Sequence, residues 1–158
     1  MSTIINPALF SSESENWATP QDVFDRLDYV FNFTLDPCAD ETNFKCKKYY
    51  TKEINGLSKD WGGHKVFCNP PYGRDNTGLW IKKCCEESKK PGTIVVALIP
   101  ARTDTKWFHD YIYCSHAQIH FIKGRLKFGN SKNSAPFPSM IVIFGLQWMY
   151  MKGEYNAE

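Results

Sequence analysis

The sequence predicts an α/β protein built on one mostly parallel sheet. Three observations support this: strand and helix patterns alternate along the chain, residues 93–99 (TIVVALI) form a continuous apolar run, and polar residues follow two predicted strands. A continuous β-branched run is typical of a strand that is covered by helices on both faces, as in parallel sheets. In such sheets, ligands bind at the carboxyl ends of the strands.

The first predicted helix begins at Thr19-Pro20, with Thr19 as the N-cap and Pro20 as the first helical residue. Apolar residues then recur at helical spacing as far as residue 31. Residues 31–35 alternate between apolar and polar side chains, so they predict a strand that ends at Asp36-Pro37. Residues 38–60 are polar, and no element is predicted for them.

The rest of the chain continues the alternation of strands and helices. We predict strands over residues 65–68, 93–99, 117–122 and 140–146, and helices over residues 76–90 and 105–113. Residues 123–139 contain glycine, asparagine and two prolines, which predicts a long loop. The length of 158 residues suits one domain over residues 1–158, with a loosely ordered arm at 1–15 and a tail at 147–158.

The composition narrows the possible classes of function. The formal net charge is only +2, so local clusters of basic residues must carry any argument for nucleic-acid binding. The six cysteines form no C-x-x-C pair, which argues against a zinc site and for free thiols in a reducing compartment. No apolar run is long enough for a membrane span or a signal peptide, so we expect a cytoplasmic protein without a metal.

Asn69-Pro70-Pro71-Tyr72, directly after the strand at residues 65–68, is the most specific signal in the sequence. A planar amino nitrogen is a poor nucleophile, so an enzyme that methylates it must accept its hydrogen bonds and align it with the methyl donor. The side-chain oxygen of Asn69 and the carbonyl of Pro70 can be these acceptors, on a turn that the prolines stiffen. Tyr72 would offer its ring, and not its hydroxyl, to a flipped base. The alternative is a structural Pro-Pro turn with an Asn cap.

Seven segments, taken in order, resemble the phage-type DNA N6-adenine methyltransferases, the Dam-like family of bacteriophages and prophages. They are WATPQDVFDRL from Trp17, LDPCAD from Leu35, YYTKEINGLSKDW from Tyr49, VFCNPPYGR from Val66, VALIPARTDTKWFH from Val96, HFIKGRLKFG and SAPFPSMIVIFG. The resemblance covers residues 16–146. It implies methyl transfer from S-adenosylmethionine to the N6 amino group of adenine in DNA, at a specific or relaxed target sequence, in a bacterial host cell.

The fold expected with this resemblance is a Rossmann-like methyltransferase sheet, mostly parallel, with an antiparallel C-terminal strand. The resemblance also implies which residues hold the cofactor: Thr19, Pro20, Asp36, Pro37, Ala39, Asn55 and Leu57. No glycine-rich loop follows Asp36, which departs from the wider pattern and leaves side chains to hold the cofactor. The structural alternatives are a helix cap at Thr19, a loop-capping carboxylate at Asp36 and an Asn-Gly turn at Asn55.

A further group of residues is expected to meet DNA. Its members are Arg74, Arg102, Lys123, Arg125, Lys127 and Phe137. The basic side chains would neutralise phosphates, and Phe137 would cover the second face of the flipped base. The alternatives are a solvated basic face and a buried aromatic residue at the sheet edge. Two other functions stay open: methylation of another planar nitrogen, in an RNA base or a protein glutamine, and DNA binding by a catalytically silent homologue.

Overall fold

The computed structural model describes residues 17–147, which form one four-stranded sheet with helices on both faces. The helices are α1 (Gln21–Phe31) and α2 (Asn76–Glu87), with a short 3-10 helix at Gly56–Ser58 and a π-helix at Phe108–Tyr113. The strands are β1 (Lys65–Cys68), β2 (Ile94–Pro100), β3 (Gln118–Phe121) and β4 (Ser139–Phe144). The expected arm at 1–15 and all but the first residue of the expected tail lie outside the described residues, so a single domain over 1–158 stays a prediction.

The sheet is mixed, with the strand order β1-β2-β4-β3. β1 pairs with β2 in parallel, and β4 pairs antiparallel with both β2 and β3. The α/β character and the antiparallel C-terminal strand are therefore confirmed, whereas the mostly parallel pairing is not. The reason is that β4 lies between β2 and β3, so two antiparallel ladders separate strands that point in the same direction.

The start of α1 differs from the prediction by one residue. Pro20 is the N-cap, and its carbonyl accepts hydrogen bonds from the backbone N–H groups of Val23 and Phe24. Thr19 lies before the cap, and its hydroxyl accepts a hydrogen bond from Asn69 instead. A Thr-Pro pair is a common helix start, so the local pattern alone could not reveal this distant partner.

The strand expected over residues 31–35 is wrong except at its end. Asn32 adopts a left-handed conformation that ends α1, and the carboxylate of Asp28 accepts the N–H of Phe33. The N–H of Thr34 donates to the Lys65 carbonyl, and Leu35 forms a parallel bridge to Val66 of β1. Asp36 forms a second parallel bridge, to Tyr49, so two short extended segments continue the sheet beyond β1.

The other expected elements are confirmed with small shifts at their ends. β1 has the expected bounds, while α2 ends three residues early and β2, β3 and β4 each shift by one or two residues. Residues 105–113, expected to be helical, contain the π-helix Phe108–Tyr113. Within residues 17–147, every helix is too short or too polar to span a membrane.

Both faces of β2 are covered, as its apolar run predicts, because all seven of its residues are buried. On one face, Ile94 and Val96 pack with Leu27 and Phe31 of α1. The other face belongs to the main core, which includes residues of α2. Complete burial of one large apolar side chain contributes about 1.5–3 kcal/mol, so the sandwiched β2 anchors the sheet.

A close backbone contact joins the loop around Gly56 to the loop that follows Asp36. Gly56 lies directly against the backbone of Pro37, and the indole N–H of the fully buried Trp61 donates to the Gly56 carbonyl. Trp61 also stacks on Trp80 of α2, with ring centroids 6.2 Å apart. The loop that contains Asn55 and Leu57 is therefore held beside the loop that follows Asp36.

Replacement of Gly56 by alanine tests this contact. The new methyl carbon would overlap the Pro37 carbonyl oxygen, so the backbone would have to move. We expect Gly56→Ala to lower the free energy of unfolding by about 1–3 kcal/mol, as overpacking does. Chemical denaturation measures the loss. In the control variant Gly62→Ala, the nearest atom is a side-chain oxygen of Asp60 at 3.0 Å, so its loss should be smaller. Equal losses in the two variants would contradict the close-contact explanation.

Candidate active site

The Asn-Pro-Pro-Tyr turn begins at the carboxyl edge of the sheet, because Asn69 follows Cys68, the last residue of β1. The carboxyl ends of β2 and β3 lie at the same edge, since these strands run in the direction of β1. β4 runs the other way, so it starts at this edge, where Ser139 pairs with Pro100 of β2. The Asp36 loop also begins here, since Leu35 runs parallel to β1. Segments distant in sequence thus meet around Asn69.

Hydrogen bonds from the Asn69 side chain determine its orientation. Its Nδ2 donates to the carbonyl oxygen of Trp17 at 2.5 Å and to the hydroxyl of Thr19 at 2.8 Å. A carbonyl can only accept, so the nitrogen must face Trp17 and the oxygen must face away. That oxygen, Oδ1, is buried and has no hydrogen-bond partner. A buried acceptor without a partner is costly, by about 1–3 kcal/mol, which marks Oδ1 as an acceptor available to a ligand.

Four aromatic rings pack beside the motif, in an aromatic cluster of Trp17, Tyr72, Phe128 and Phe137. Phe137 meets Trp17 at a centroid distance of 5.3 Å and Tyr72 at 5.5 Å, edge to face in both cases. Phe128 contacts the other three rings. Tyr72 and Phe137, both expected to stack on a base, are therefore brought together but are almost fully buried, with 6% and 7% exposure. A base can enter between them only if a ring moves.

The hydroxyl of Tyr72 has a structural partner that the sequence did not predict. It donates a hydrogen bond of 3.1 Å to the backbone carbonyl of Leu98 in β2. Burial raises the pKa of the Tyr72 phenol well above its usual value, so the hydroxyl stays neutral and remains a donor. This bond ties the Asn-Pro-Pro-Tyr turn to the strand next to β1.

Asp36 uses its carboxylate to shape its own loop. Oδ1 accepts the backbone N–H of Cys38 at 3.2 Å, and Oδ2 accepts that of Lys45 at 3.0 Å. Burial raises the pKa of Asp36 to about 6, and the two backbone hydrogen bonds offset part of this rise. The geometry thus matches the loop-capping alternative for Asp36.

The residues expected to hold the cofactor form two groups. Thr19, next to Pro20, lies against the Asn69 side chain. Pro37 lies against Gly56, between Asn55 and Leu57, and the N–H of Ala39 donates to the Tyr50 carbonyl. Asn55 is exposed and adopts a left-handed conformation. Both groups border the edge at which the Asp36 loop begins and β1 ends.

Buried thiols lie beneath this edge. Cys38 and Cys68 approach to 3.4 Å between their sulfur atoms, and burial raises the pKa of Cys38 to about 11. Burial likewise raises the pKa of Cys68 and of its neighbour Cys84. These thiols are protonated at neutral pH, so they pack as small apolar groups. Among residues 17–147, no group of three or more His, Cys, Asp or Glu side chains could hold a metal ion.

The basic residues expected to meet DNA are all exposed and follow the ends of elements at this edge. Arg74 follows the Asn-Pro-Pro-Tyr turn, Arg102 follows β2, and the residues after β3 are Lys123, Arg125 and Lys127. Their distribution gives the site a basic border.

Two aromatic residues of the site, Trp17 and Phe128, received no role from the sequence. Both lie inside segments that carry the family resemblance, and Phe128 ends the basic stretch. Local patterns could not identify them, because their ring contacts join parts of the chain that are far apart in sequence.

A rigid turn with an unused buried acceptor, set at the carboxyl edge of an α/β sheet, is the arrangement expected of a methyltransferase of planar amino groups. The family model described as DNA N-6-adenine-methyltransferase (Dam) matches residues 7–151. The chain is 33% identical to a DNA N-6-adenine-methyltransferase of Haemophilus phage HP1 (strain HP1c1), over 84% of this chain and 80% of the relative. It is 37% identical to a DNA N-6-adenine-methyltransferase of Escherichia phage T1, over 58% of this chain and 38% of the relative.

The chain therefore belongs to the DNA N-6-adenine-methyltransferase (Dam) family. This membership confirms the expected reaction, methylation of the N6 amino group of adenine in DNA, and the expected kinship with phage enzymes.

Removal of the Tyr72 hydroxyl tests its hydrogen bond to the Leu98 carbonyl. Tyr72→Phe leaves the Leu98 carbonyl without this donor, so we expect the free energy of unfolding to fall by about 1–3 kcal/mol. The measurement is urea denaturation. The matched control is Tyr113→Phe, because Tyr113 is 66% exposed, and it should change stability little. If Tyr72→Phe is as stable as the wild type, the hydrogen bond to Leu98 contributes nothing.

Proposed function

We propose that the protein transfers a methyl group from S-adenosylmethionine to the N6 atom of an adenine that is flipped out of DNA. Oδ1 of Asn69 and the carbonyl of Pro70 would accept the two N–H bonds of the amino group. The observation that carries this proposal is the buried Oδ1 of Asn69. The bonds from Nδ2 to Trp17 and Thr19 determine its orientation, and Oδ1 itself has no hydrogen-bond partner among residues 17–147.

The two acceptors address the difficulty of the reaction. They hold the amino nitrogen in place and favour the positive charge that develops on it as the new N–C bond forms. Pro70 and Pro71 restrict the backbone, so the acceptors do not have to reorganise during the reaction. S-adenosylmethionine, when bound, supplies an electrophilic methyl group.

The residues near the motif fit such a cofactor. One loop carries Asp36 and Ala39, and the other carries Asn55 and Leu57. The two loops lie directly against each other, because Gly56 has no side chain to separate its backbone from that of Pro37. The exposed amide of Asn55 can accept a hydrogen bond from the amino group of the cofactor adenine. Thr19 and Pro20 would meet the methionine part, since Thr19 adjoins Asn69.

The arrangement also supports a methyltransferase variant of the Rossmann-like sheet. β1, β2 and β3 run in one direction, and the bridges at Leu35 and Asp36 add further parallel pairing beyond β1. β4 is the antiparallel strand that such a sheet would carry at its C-terminal end.

Entry of the base requires the aromatic cluster to open. Each edge-to-face ring contact contributes about 0.5–1.5 kcal/mol. Stacking of a base on an aromatic ring contributes about 1–3 kcal/mol. The stacking energy of a base held between Tyr72 and Phe137 would thus compensate for the ring contacts that it displaces. The cluster would close the empty site and become the stacking surface of the occupied one.

The duplex would be held by phosphate contacts along the basic border. Arg74, Arg102, Lys123, Arg125 and Lys127 are exposed at the edge where the flipped base would enter. Such contacts position DNA without reading its sequence. We infer that the protein acts in the cytoplasm of a bacterial host, where its DNA substrate is found.

Asn69→Ala is the direct test of the proposed acceptor. We expect methyl transfer to fall by a factor on the order of 100 or more, as when a group that stabilises developing charge is removed. The readout is labelled methyl incorporation into unmethylated DNA, followed by nucleoside analysis. Binding of the cofactor, followed by calorimetry, should persist with only a modest loss from the missing bond to Thr19, which separates chemistry from unfolding. If Asn69→Ala retains most of the methyl-transfer activity, the reaction occurs elsewhere in the protein.

A salt titration tests the phosphate contacts. Removing one contact lowers the slope of log affinity against log salt concentration by about one unit, so we expect this change in Arg125→Ala. Affinity for several DNA sequences should fall to a similar extent. The control is Lys65→Ala, because Lys65 begins β1 at the opposite edge. A slope equal to the wild-type slope would mean that Arg125 is not in contact with DNA, and a loss on one sequence alone would make it a base-reading residue.

A further inference from the structure

Two buried side-chain polar atoms within residues 17–147 have no hydrogen-bond partner: Oδ1 of Asn69 and the hydroxyl oxygen of Ser139. Ser139 is only 1% exposed. A hydroxyl buried without a partner costs about 1–3 kcal/mol, and an alanine would avoid that cost. The family resemblance assigned no role to Ser139, so its buried hydroxyl requires another explanation.

Ser139 lies at the same edge of the sheet as Asn69. It is the first residue of β4 and pairs with Pro100, the last residue of β2. The carbonyl of the preceding residue, Pro138, accepts the N–H of Ala101, which holds the start of β4 against the end of β2. Phe137 of the aromatic cluster lies two residues before Ser139.

Ser139 also lies on the same face of the sheet as Asn69. Alternate residues of a strand share a face, so Ser139 shares one with Ile141 and Ile143. Those two residues pack with Leu27 and Phe31 of α1. Asn69 bonds Trp17 and Thr19, which directly precede α1.

We propose that Ser139 contacts the target base, with its hydroxyl donating a hydrogen bond to a ring nitrogen beside the N6 amino group. The two N–H bonds of that amino group would already be taken by Asn69 and Pro70. The atoms that flank it on the adenine ring, N1 and N7, are both acceptors. A serine hydroxyl can donate to either nitrogen, whereas a carbonyl cannot.

Opening of the aromatic cluster would give the base access to this hydroxyl. Phe137 belongs to the cluster and is joined to Ser139 through Pro138 alone. A movement of Phe137 that admits the base would therefore also uncover Ser139. The hydroxyl would gain its missing partner only in the complex. Adenine would therefore bind more tightly than a ring that lacks a nitrogen acceptor at this position.

This inference rests on the proposed function, and substrates that lack one ring nitrogen test it separately. The experiment uses the intact protein and a duplex with a mapped methylation site, in which the target base is adenine, 1-deazaadenine or 7-deazaadenine. For adenine, Ser139→Ala should lower kcat/KM roughly 10-fold. For the analogue that lacks the contacted nitrogen, wild type and Ser139→Ala should have equal kcat/KM. The analogue that shows this equality identifies N1 or N7 as the partner.

Stability distinguishes a base contact from a structural role. Ser139→Ala should be at least as stable as wild type, since it removes an unpaired buried hydroxyl. The control variant Ser134→Ala, in the exposed part of the loop, should change neither activity nor stability. Equal loss of kcat/KM on all three substrates, no loss on adenine, or a clear loss of stability would each overturn the assignment to Ser139. Full activity of Asn69→Ala would instead overturn the proposed function, whatever the result for Ser139.

Discussion

The site depends first on the two hydrogen bonds that the Asn69 amide donates to Trp17 and Thr19. They join the segment before α1 to the end of β1, across 52 and 50 residues of sequence. The same bonds turn Oδ1 away from the backbone carbonyl and bring the Trp17 ring to the motif. One amide thus sets the position of the acceptor and helps to place the aromatic cluster beside it.

The direction of β4 is the second constraint. Because β4 runs against β2 and β3, its first residue lies at the edge where the other strands end. The loop before β4 can therefore deliver Phe137 and Ser139 to the Asn-Pro-Pro-Tyr turn without crossing the sheet. A β4 parallel to its neighbours would place both residues at the opposite edge, far from Asn69.

The sequence predicted the parts of the site that depend on local patterns. The turn after β1, the buried β2 and the basic residues after β3 each follow from composition and spacing within a few residues. Thr19 was misassigned as an N-cap, because its hydroxyl serves Asn69, which is distant in sequence. The left-handed turn at Asn32 shortened the first expected strand, and the insertion of β4 replaced parallel pairing with antiparallel pairing. Contacts such as Trp17 with Phe128 depend on the whole chain, so periodicity could not predict them.

The aromatic cluster has a consequence for the order of events during folding. Trp17 and Phe137 are 120 positions apart, near the two ends of the described chain, yet their rings are in contact. Contacts across so long a separation carry a large loop-closure cost and form only after the intervening elements have been organised. The aromatic cluster is therefore assembled late, when β4 has docked between β2 and β3. A nascent or partly folded chain lacks this cluster, so under the proposed role of Tyr72 and Phe137 the protein could modify DNA only once its fold is complete.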